Sequence, residues 1–242
     1  MEEKRYDQID ILRGWFFIPM FIFHLVSSYD LVHGFKTSYT SIPWIKYLGW
    51  VRNLYIILAG YSVHLAWINY KAKDPKPTIS GFIKYKLGRT WSIVKAAILI
   101  TVISHILFPD YGIKFGILHF IALGTLIVTP IAALESPSIS LMVGAIWLYI
   151  VSNNLIPMTS SPIINTITGK FIHWSAADYF PLNKNLILII GGLVLGQIIT
   201  PWIKPMESNS IFKTMGKNSL DLYTSHMLII LIVYHILAKK LK

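Results

Sequence analysis

The chain has 242 residues, of which 54% are hydrophobic and 14% charged, and its formal net charge is +11. Apolar runs of about 18 residues or more recur along it, which is typical of a polytopic membrane protein. The absence of cysteine excludes disulfides, cysteine-ligated metal centres and a thioester on a protein thiol. Because basic loops account for positive charge in a membrane protein, we expect contact with membrane lipid and exclude nucleic acid as a partner.

Hydrophobic segments follow one another along the whole chain and predict a single transmembrane domain, residues 1–242. The fold class is therefore all-α, a bundle of about seven transmembrane helices, with eight as the alternative. The predicted segments are residues 10–32, 44–68, 90–108, 113–134, 138–156, 185–202 and 218–238.

The distribution of basic residues predicts the orientation of the bundle. Lys4 and Arg5 precede the first segment, and the loop after the second, NYKAKDPKPTISGFIKYKLGR, is rich in lysine. Since short basic loops stay in the cytoplasm, we predict a multi-pass protein of the cell membrane with a cytoplasmic N-terminus. The basic tail AKKLK then lies outside, which is the reason to keep eight segments as the alternative.

The first segment, IDILRGWFFIPMFIFHL, places an arginine and a histidine inside an apolar run. At about 100° per residue, Arg13 and His24 share one helix face and lie about 16 Å apart along the axis. Charged groups within a membrane usually face a cavity or the bundle interior. The structural alternative is that Asp10 pairs with Arg13 at the interface, while His24 hydrogen-bonds a neighbouring helix.

A cation near the cytoplasm and an imidazole deeper in the membrane suit an anionic donor that carries a thioester, such as acyl-CoA. The imidazole can remove a proton from an attacking hydroxyl or amine, because its pKa lies near working pH. We therefore predict that Arg13 anchors the donor and that His24 acts as the base.

Five stretches that cover most of the chain carry a resemblance to a known family. They are RYDQIDILRGWFFIPMFIFHL, NLYIILAGYSVHLAW, FPDYGIKFGILHFIAL, AADYFPL with the following GGLVLGQ, and MGKNSLDLYTSHM. Together they resemble the heparan-alpha-glucosaminide N-acetyltransferase catalytic-domain family. The spacing of Arg13 and His24 is also similar to a signature of the bacterial type-3 membrane acyltransferases. The resemblance implies acetyl transfer from cytosolic acetyl-CoA to a sugar hydroxyl or amine across the membrane, and it suggests a homodimer.

The resemblance also implies roles for individual residues. Arg13 would bind or steer the CoA, His24 would be the transfer base, and His119 and His226 match recurring family histidines. In the lysosomal branch an asparagine stands at the position of His24, and the catalytic histidine lies in the following loop, where His33 is the nearest residue here. The catalytic histidine is therefore His24 or His33, and we favour His24 because its helix face is predictable.

The remaining candidates are polar side chains near the ends of predicted segments. Arg89 and Lys95 open the third segment and would complete the acyl-CoA site with Arg13 and His226. Tyrosine beside carboxylate often holds sugar hydroxyls, so we expect the acceptor at the outer side; the candidates there are Asp30, Arg52, His119, Asp178 and Tyr179. Snorkelling of Arg89 and solvation of the outer carboxylates are the structural alternatives. No HExxH pattern is present, and no metal is expected.

Two other functions use the same residues. In a proton- or anion-coupled transporter, a polar pathway would run through Arg13, His24, Lys95 and His119. Such a protein should have broken helices in two related halves, and Pro19 in the first segment has no counterpart in a second half. In a membrane sensor or assembly subunit, the polar residues would only hold helices together. We predict the O- or N-acetyltransferase.

Overall fold

The computed structural model describes residues 6–32, 42–170 and 178–240, and within them the chain forms helices and no β-strand. This confirms the predicted all-α class. The helices are α1 (Asp7–Val32), α2 (Pro43–Lys73), α3 (Ile79–Leu107), α4 (Ile117–Ala132), α5 (Pro137–Ser152), α6 (Pro162–Thr168), α7 (Leu182–Ile199), α8 (Ile211–Lys217) and α9 (Ser219–Lys240).

Each predicted segment corresponds to one helix, and α6 and α8 are short additions. Within the described ranges, four stretches are long and apolar enough to cross a membrane: Asp7–Asp30, Ile79–Leu107, Leu182–Trp202 and Ser219–Lys239. Helices α4 and α5 are apolar but have only 16 residues each, and α2 is not among the four. The structure therefore supports a membrane protein, while the prediction of about seven crossings is not confirmed.

Helix α3 begins at Ile79, which is 11 residues before the predicted start at residue 90. The hydroxyl of Thr78 accepts a hydrogen bond from the Gly81 N–H at 3.0 Å and caps this helix. The basic stretch before residue 90 is therefore helical, and it brings Lys86 and Arg89 onto one face, three residues apart.

Helices α2 and α7 approach each other closely at two glycines. A Cβ atom at Gly60 would lie 2.0 Å from the carbonyl oxygen of Ile189, and one at Gly192 would lie 2.0 Å from that of Ile57. Small residues at such positions let helix backbones pack directly against each other in membrane bundles. This contact fixes α2, which carries several residues of the site described below.

Successive long helices alternate in direction, so the bundle has two different ends. After α4, Glu135 accepts a hydrogen bond from Lys71 of α2 at 2.6 Å. At the other end, the His235 ring of α9 lies 2.9 Å from the carbonyl oxygen of Leu107. We call the end at which α1, α3, α5 and α9 begin the basic end. Its cationic residues are Arg13, Lys71, Lys73, Lys76, Lys84, Lys86, Arg89, Lys204, Lys213 and Lys217.

Candidate active site

A cavity of about 440 Å³ lies between α1, α2, α3, α4 and α9 and extends from the basic end into the bundle. Cationic side chains line it near the basic end, and Met20 and Tyr223 line it farther along α1 and α9. Its volume is in the range of small-molecule binding sites. We call it the basic cavity.

Arg13 lies in the wall of the basic cavity and is held by two neighbours. Its Nη1 donates to Oδ1 of Asp10 at 2.9 Å, and its Nη2 donates to the hydroxyl of Ser62 on α2. The Asp10 pair that the structural alternative required is therefore present. The pair lines a cavity inside the bundle, so it orients the guanidinium toward a space that a ligand can occupy.

Two further cations, Lys86 and Arg89 of α3, line the same cavity. Lys86 interacts electrostatically with both Arg89 and Arg13, so three positive groups converge there. Like charges repel, and an anionic ligand would relieve that repulsion. Arg89 was a candidate from the sequence because it directly precedes the predicted start at residue 90, whereas Lys86, four residues before that start, was missed. The spacing of three residues between the two cations was the available signal.

Lys95 lies apart from this cluster. Its side chain is exposed on α3, and it is not among the residues that line the basic cavity. Lys95 is therefore not part of the cationic cluster of the basic cavity.

His24 lies one turn beyond Met20 on α1, where its ring meets that of His226 on α9. The Nδ1 atom of His24 is 2.9 Å from Nε2 of His226, and the rings stack with centroids 5.1 Å apart. The Nδ1 atom of His226 is in turn 2.9 Å from the carbonyl oxygen of Leu222. The structure thus places His226 beside His24 and away from the cations with which the sequence analysis grouped it.

These contacts determine the positions of the protons when both rings are neutral. A carbonyl oxygen only accepts, so Nδ1 of His226 carries the proton donated to Leu222. Its Nε2 is then an acceptor, and Nδ1–H of His24 donates to it. The other nitrogen of His24, Nε2, therefore keeps a lone pair, as a general base requires.

Tyr223 connects the histidine pair to the basic cavity. Its ring centroid lies 5.6 Å from that of His24 and 5.2 Å from that of His226, and it also lines the cavity. The side chain is only 4% exposed. Tyr223 was not among the residues predicted from the sequence, although it precedes His226 by three residues and so shares a helix face with it.

Arg52 of α2 completes the surroundings of His24. It interacts electrostatically with His24, Tyr223 and Asp178, and its Cζ lies 4.3 Å from the ring centroid of Phe180. Its Nε is buried without a hydrogen-bond partner among the described residues. A guanidinium binds oxyanions through several N–H groups at once. The Arg52 guanidinium is therefore placed to stabilise a negative charge that develops near His24.

Asp178 lies in the connection before α7 and contacts the start of α4. Its Oδ2 accepts a hydrogen bond from the Ile117 N–H at 2.9 Å. Burial raises the pKa of the Asp178 carboxyl, while that hydrogen bond and the charge of Arg52 oppose the increase. The neighbouring Tyr179 donates its hydroxyl to the carbonyl oxygen of Thr166 in α6 at 2.7 Å.

The other predicted residues lie at separate places or outside the described ranges. Asp30 is fully buried near the end of α1. His119 contacts Thr101 at 3.5 Å and the ring of Phe115, at the junction of α3 and α4. His33 lies outside the described residues. In the part of the chain that the structure describes, no three His, Asp or Glu side chains are grouped as metal ligands would be.

Comparison with known proteins gives one match. The model of a family described as heparan-alpha-glucosaminide N-acetyltransferase, catalytic, matches residues 5–228. The match covers α1 to the middle of α9, including the basic cavity and both histidines of the pair. It confirms the resemblance seen in the sequence. Searches of curated proteins and of solved structures found no match.

Proposed function

The chain belongs to the heparan-alpha-glucosaminide N-acetyltransferase catalytic family, and from this premise we propose that it transfers acetyl groups from acetyl-CoA to a hydroxyl or amine of a sugar-type acceptor. The family implies an acetyltransferase, and the proposal adds the donor, the acceptor class and the residues that act. The observation that supports the proposal is a cavity that has cationic side chains at one end and His24 next to the other end. The Nε2 atom of His24 is free of the contact with His226 and can accept a proton.

The donor would bind in the basic cavity. Its phosphate groups would meet Arg13, Lys86 and Arg89, which together supply the positive charge that they require. The pantetheine arm would follow the apolar wall that α4 contributes through Ile117, Leu118 and Ile121. The acetyl group would then reach Tyr223, beside the histidine pair.

His24 would act as general base through Nε2. It takes the proton of the acceptor O–H or N–H while the acceptor oxygen or nitrogen bonds to the thioester carbonyl carbon. The resulting oxyanion lies within the field of Arg52. When the C–S bond breaks, the CoA thiolate leaves with the electron pair, and the proton on Nε2 of His24 neutralises it. His226 accepts from Nδ1–H of His24 throughout, which holds the ring and stabilises its cationic form.

The acceptor would approach from the end opposite the basic end. Arg52, Asp178 and Phe180 lie on that side of the base, and they offer hydrogen bonds and an aromatic surface of the kind that sugars use. With the basic end in the cytoplasm, as its lysines and arginines favour, donor and acceptor come from opposite faces of the membrane.

A transporter is the alternative, and the same residues argue against it. The family match does not favour transport. A proton pathway through Arg13, His24, Lys95 and His119 would need these residues to follow one another, whereas Lys95 is exposed and His119 contacts Thr101 and Phe115.

The test is acetyl transfer by the detergent-purified protein from isotope-labelled acetyl-CoA. Glucosamine serves as the amine acceptor probe and glucose as the hydroxyl probe, with products identified by mass spectrometry. We expect an acetylated sugar with wild type and none with His24→Ala. His105→Gln is the control, because the His105 ring lies at the far end of α3, 2.9 Å from the Thr101 carbonyl oxygen, and His105 is not among the residues that line the basic cavity. Equal product from His24→Ala and wild type would contradict the proposal.

A further inference from the structure

A second cavity, of about 340 Å³, lies at the basic end between the start of α1, the C-terminal half of α2 and the segment after α7. We call it the second cavity. Its lining residues are Tyr6, His64, Ile68, Thr200, Pro201, Ile203, Lys204 and Pro205. Tyr6 alone also lines the basic cavity, so the two spaces are separate sites that share one wall residue.

The second cavity is lined by polar residues whose side chains lack partners among the described residues. His64 is only 7% exposed, yet its Nδ1 has no hydrogen-bond partner among the described residues. The Lys204 ammonium makes no ion pair within the described ranges. A buried imidazole nitrogen without a partner costs free energy unless a ligand or water supplies one.

Two carboxylates near the second cavity are already occupied by other partners. Glu135, which interacts electrostatically with His64, accepts hydrogen bonds from Lys71 at 2.6 Å and from Trp67 at 2.9 Å. Asp7, next to Tyr6, pairs with Lys213 at 2.5 Å. Lys204, His64 and Tyr6 line the cavity, and their ammonium, imidazole and phenol groups are donors of the kind that suit an anion.

The position of the second cavity indicates that its anionic ligand is one found near the membrane surface. Trp202, between the wall residues Pro201 and Ile203, is 85% exposed, and tryptophan at that level is typical of the interface between lipid and water. Basic residues on this side of a membrane protein bind lipid headgroups. Thr200 donates its hydroxyl to that of Tyr61 at 2.9 Å, so this wall is fixed to α2 before any ligand arrives.

We propose that the second cavity binds a phosphate group through Lys204, His64 and Tyr6. The group is carried by the headgroup of an anionic lipid or is free inorganic phosphate. This site is distinct from the donor site in the basic cavity, and it does not depend on acetyl transfer.

The experiment is native mass spectrometry of the detergent-purified protein titrated separately with phosphatidylglycerol, phosphatidylcholine and inorganic phosphate. Wild type is compared with Lys204→Gln and His64→Leu. Lys76→Gln is the matched control, because Lys76 is an exposed cation at the basic end outside both cavities. Lys204 is exposed, so its substitution should leave the fold intact, and a thermal melt of each variant checks this.

We expect wild type and Lys76→Gln to retain one phosphatidylglycerol and no phosphatidylcholine, with affinity lowered about tenfold in Lys204→Gln. Binding of phosphatidylglycerol that inorganic phosphate does not displace identifies the lipid as the source. Binding of phosphate alone with the same dependence on Lys204 identifies the free anion.

Two results would overturn this inference. One is binding that is equal in wild type, Lys204→Gln and His64→Leu, or absent from all of them. The other is a phosphate-bearing ligand that acetyl-CoA displaces and that Arg13→Ala abolishes, because it would then occupy the basic cavity. Neither result argues against acetyl transfer, so the proposed function and this inference fail separately.

Discussion

The partner of the proposed base, His24, is a second histidine, which distinguishes this site from bases that are held by a carboxylate. The Leu222 carbonyl oxygen fixes the proton on Nδ1 of His226, and His226 in turn fixes the proton on Nδ1 of His24. A neutral acceptor orients the ring of the base but stabilises its cation less than a carboxylate would. The role of His226 is therefore mainly positional.

Replacement of His226 should separate orientation from ring packing. In His226→Phe the ring contacts with Phe17, Phe21 and Tyr223 can persist, but the acceptor for Nδ1–H of His24 is lost. We expect kcat to fall about 10- to 100-fold, less than the roughly 10²- to 10⁴-fold contribution of a positioned base. The acetyl-CoA dissociation constant should not change. The measurement is steady-state acetyl transfer combined with equilibrium binding.

His226→Gln provides the rescue variant, because its side-chain oxygen can again accept from Nδ1–H of His24. We expect it to recover part of the kcat that His226→Phe loses. If the two variants are equally impaired, or if both lose donor affinity, the positional role assigned to His226 is wrong.

The cations of α3 should differ in their effect on donor binding. Lys86 lines the basic cavity, whereas Lys84, two residues earlier on the same helix, is exposed and outside it. Lys86→Ala should weaken acetyl-CoA binding about tenfold, since hydrogen bonds to charged groups contribute about 1.5–3 kcal/mol. Lys84→Ala should bind as wild type does. Equal affinities for the two variants in fluorescence or calorimetric titrations would remove Lys86 from the donor site.

At the residue scale, sequence reasoning succeeded where helix periodicity alone was sufficient. Arg13 and His24 were predicted to share one helix face. In the structure Arg13 lines the basic cavity, and His24 lies next to the cavity residue Tyr223. The pairing of His24 with His226 was not predicted, because the two residues are 202 positions apart and only the packing of α1 on α9 brings them together.

At the scale of helices, glycine positions determine how closely the bundle packs. Gly192 of α7 touches the α2 backbone, whereas a Cβ added to the adjacent Gly191 would meet nothing within 4 Å. These two adjacent glycines form a matched pair: both lie in α7, but only Gly192 is packed against the backbone of another helix.

Gly192→Ala should destabilise the protein, while Gly191→Ala should not. The added methyl group at Gly192 would have to displace the α2 backbone near Ile57, and overpacking of this kind costs about 1–3 kcal/mol. Gly191→Ala should be neutral or slightly stabilising, because alanine favours helix. Thermal unfolding in detergent measures both variants. A melting temperature for Gly192→Ala equal to that of Gly191→Ala would contradict the close approach of α2 and α7.

Helix α3 illustrates why element boundaries were harder to predict than element types. Lysines between residues 71 and 86 lowered the local hydropathy, so the predicted segment began at residue 90, yet the Thr78 cap extends the helix beyond the apolar core. The cap and the lysines that face water were visible in the sequence. Which of these cations face a cavity depends on α1 and α9, and a single helix does not contain that information.

At the scale of the whole molecule, charge is distributed unequally between the two ends of the bundle. The loop between α2 and α3, the start of α3 and the segment after α7 place their lysines and arginines at the basic end. The positive-inside rule assigns such an end to the cytoplasm. In this arrangement acetyl-CoA would enter from the compartment that contains it.

The absence of cysteine makes this orientation directly testable. Lys76→Cys introduces a thiol at the exposed α2–α3 connection, and Ser160→Cys introduces one at the opposite end, before α6. In intact cells a membrane-impermeant maleimide should label Ser160→Cys and not Lys76→Cys, and permeabilised cells should label both. The unsubstituted protein is the unlabelled control. Labelling of Lys76→Cys in intact cells would reverse the assigned orientation.

The most direct test of the account is calorimetric titration of acetyl-CoA into the detergent-purified protein, with wild type compared with Arg13→Ala and His24→Ala. We expect wild type to bind acetyl-CoA, Arg13→Ala to lose about tenfold or more in affinity, and His24→Ala to retain the affinity of wild type. Folded wild-type protein that binds no acetyl-CoA at about millimolar concentration, a threshold of about −4 kcal/mol, would contradict the account.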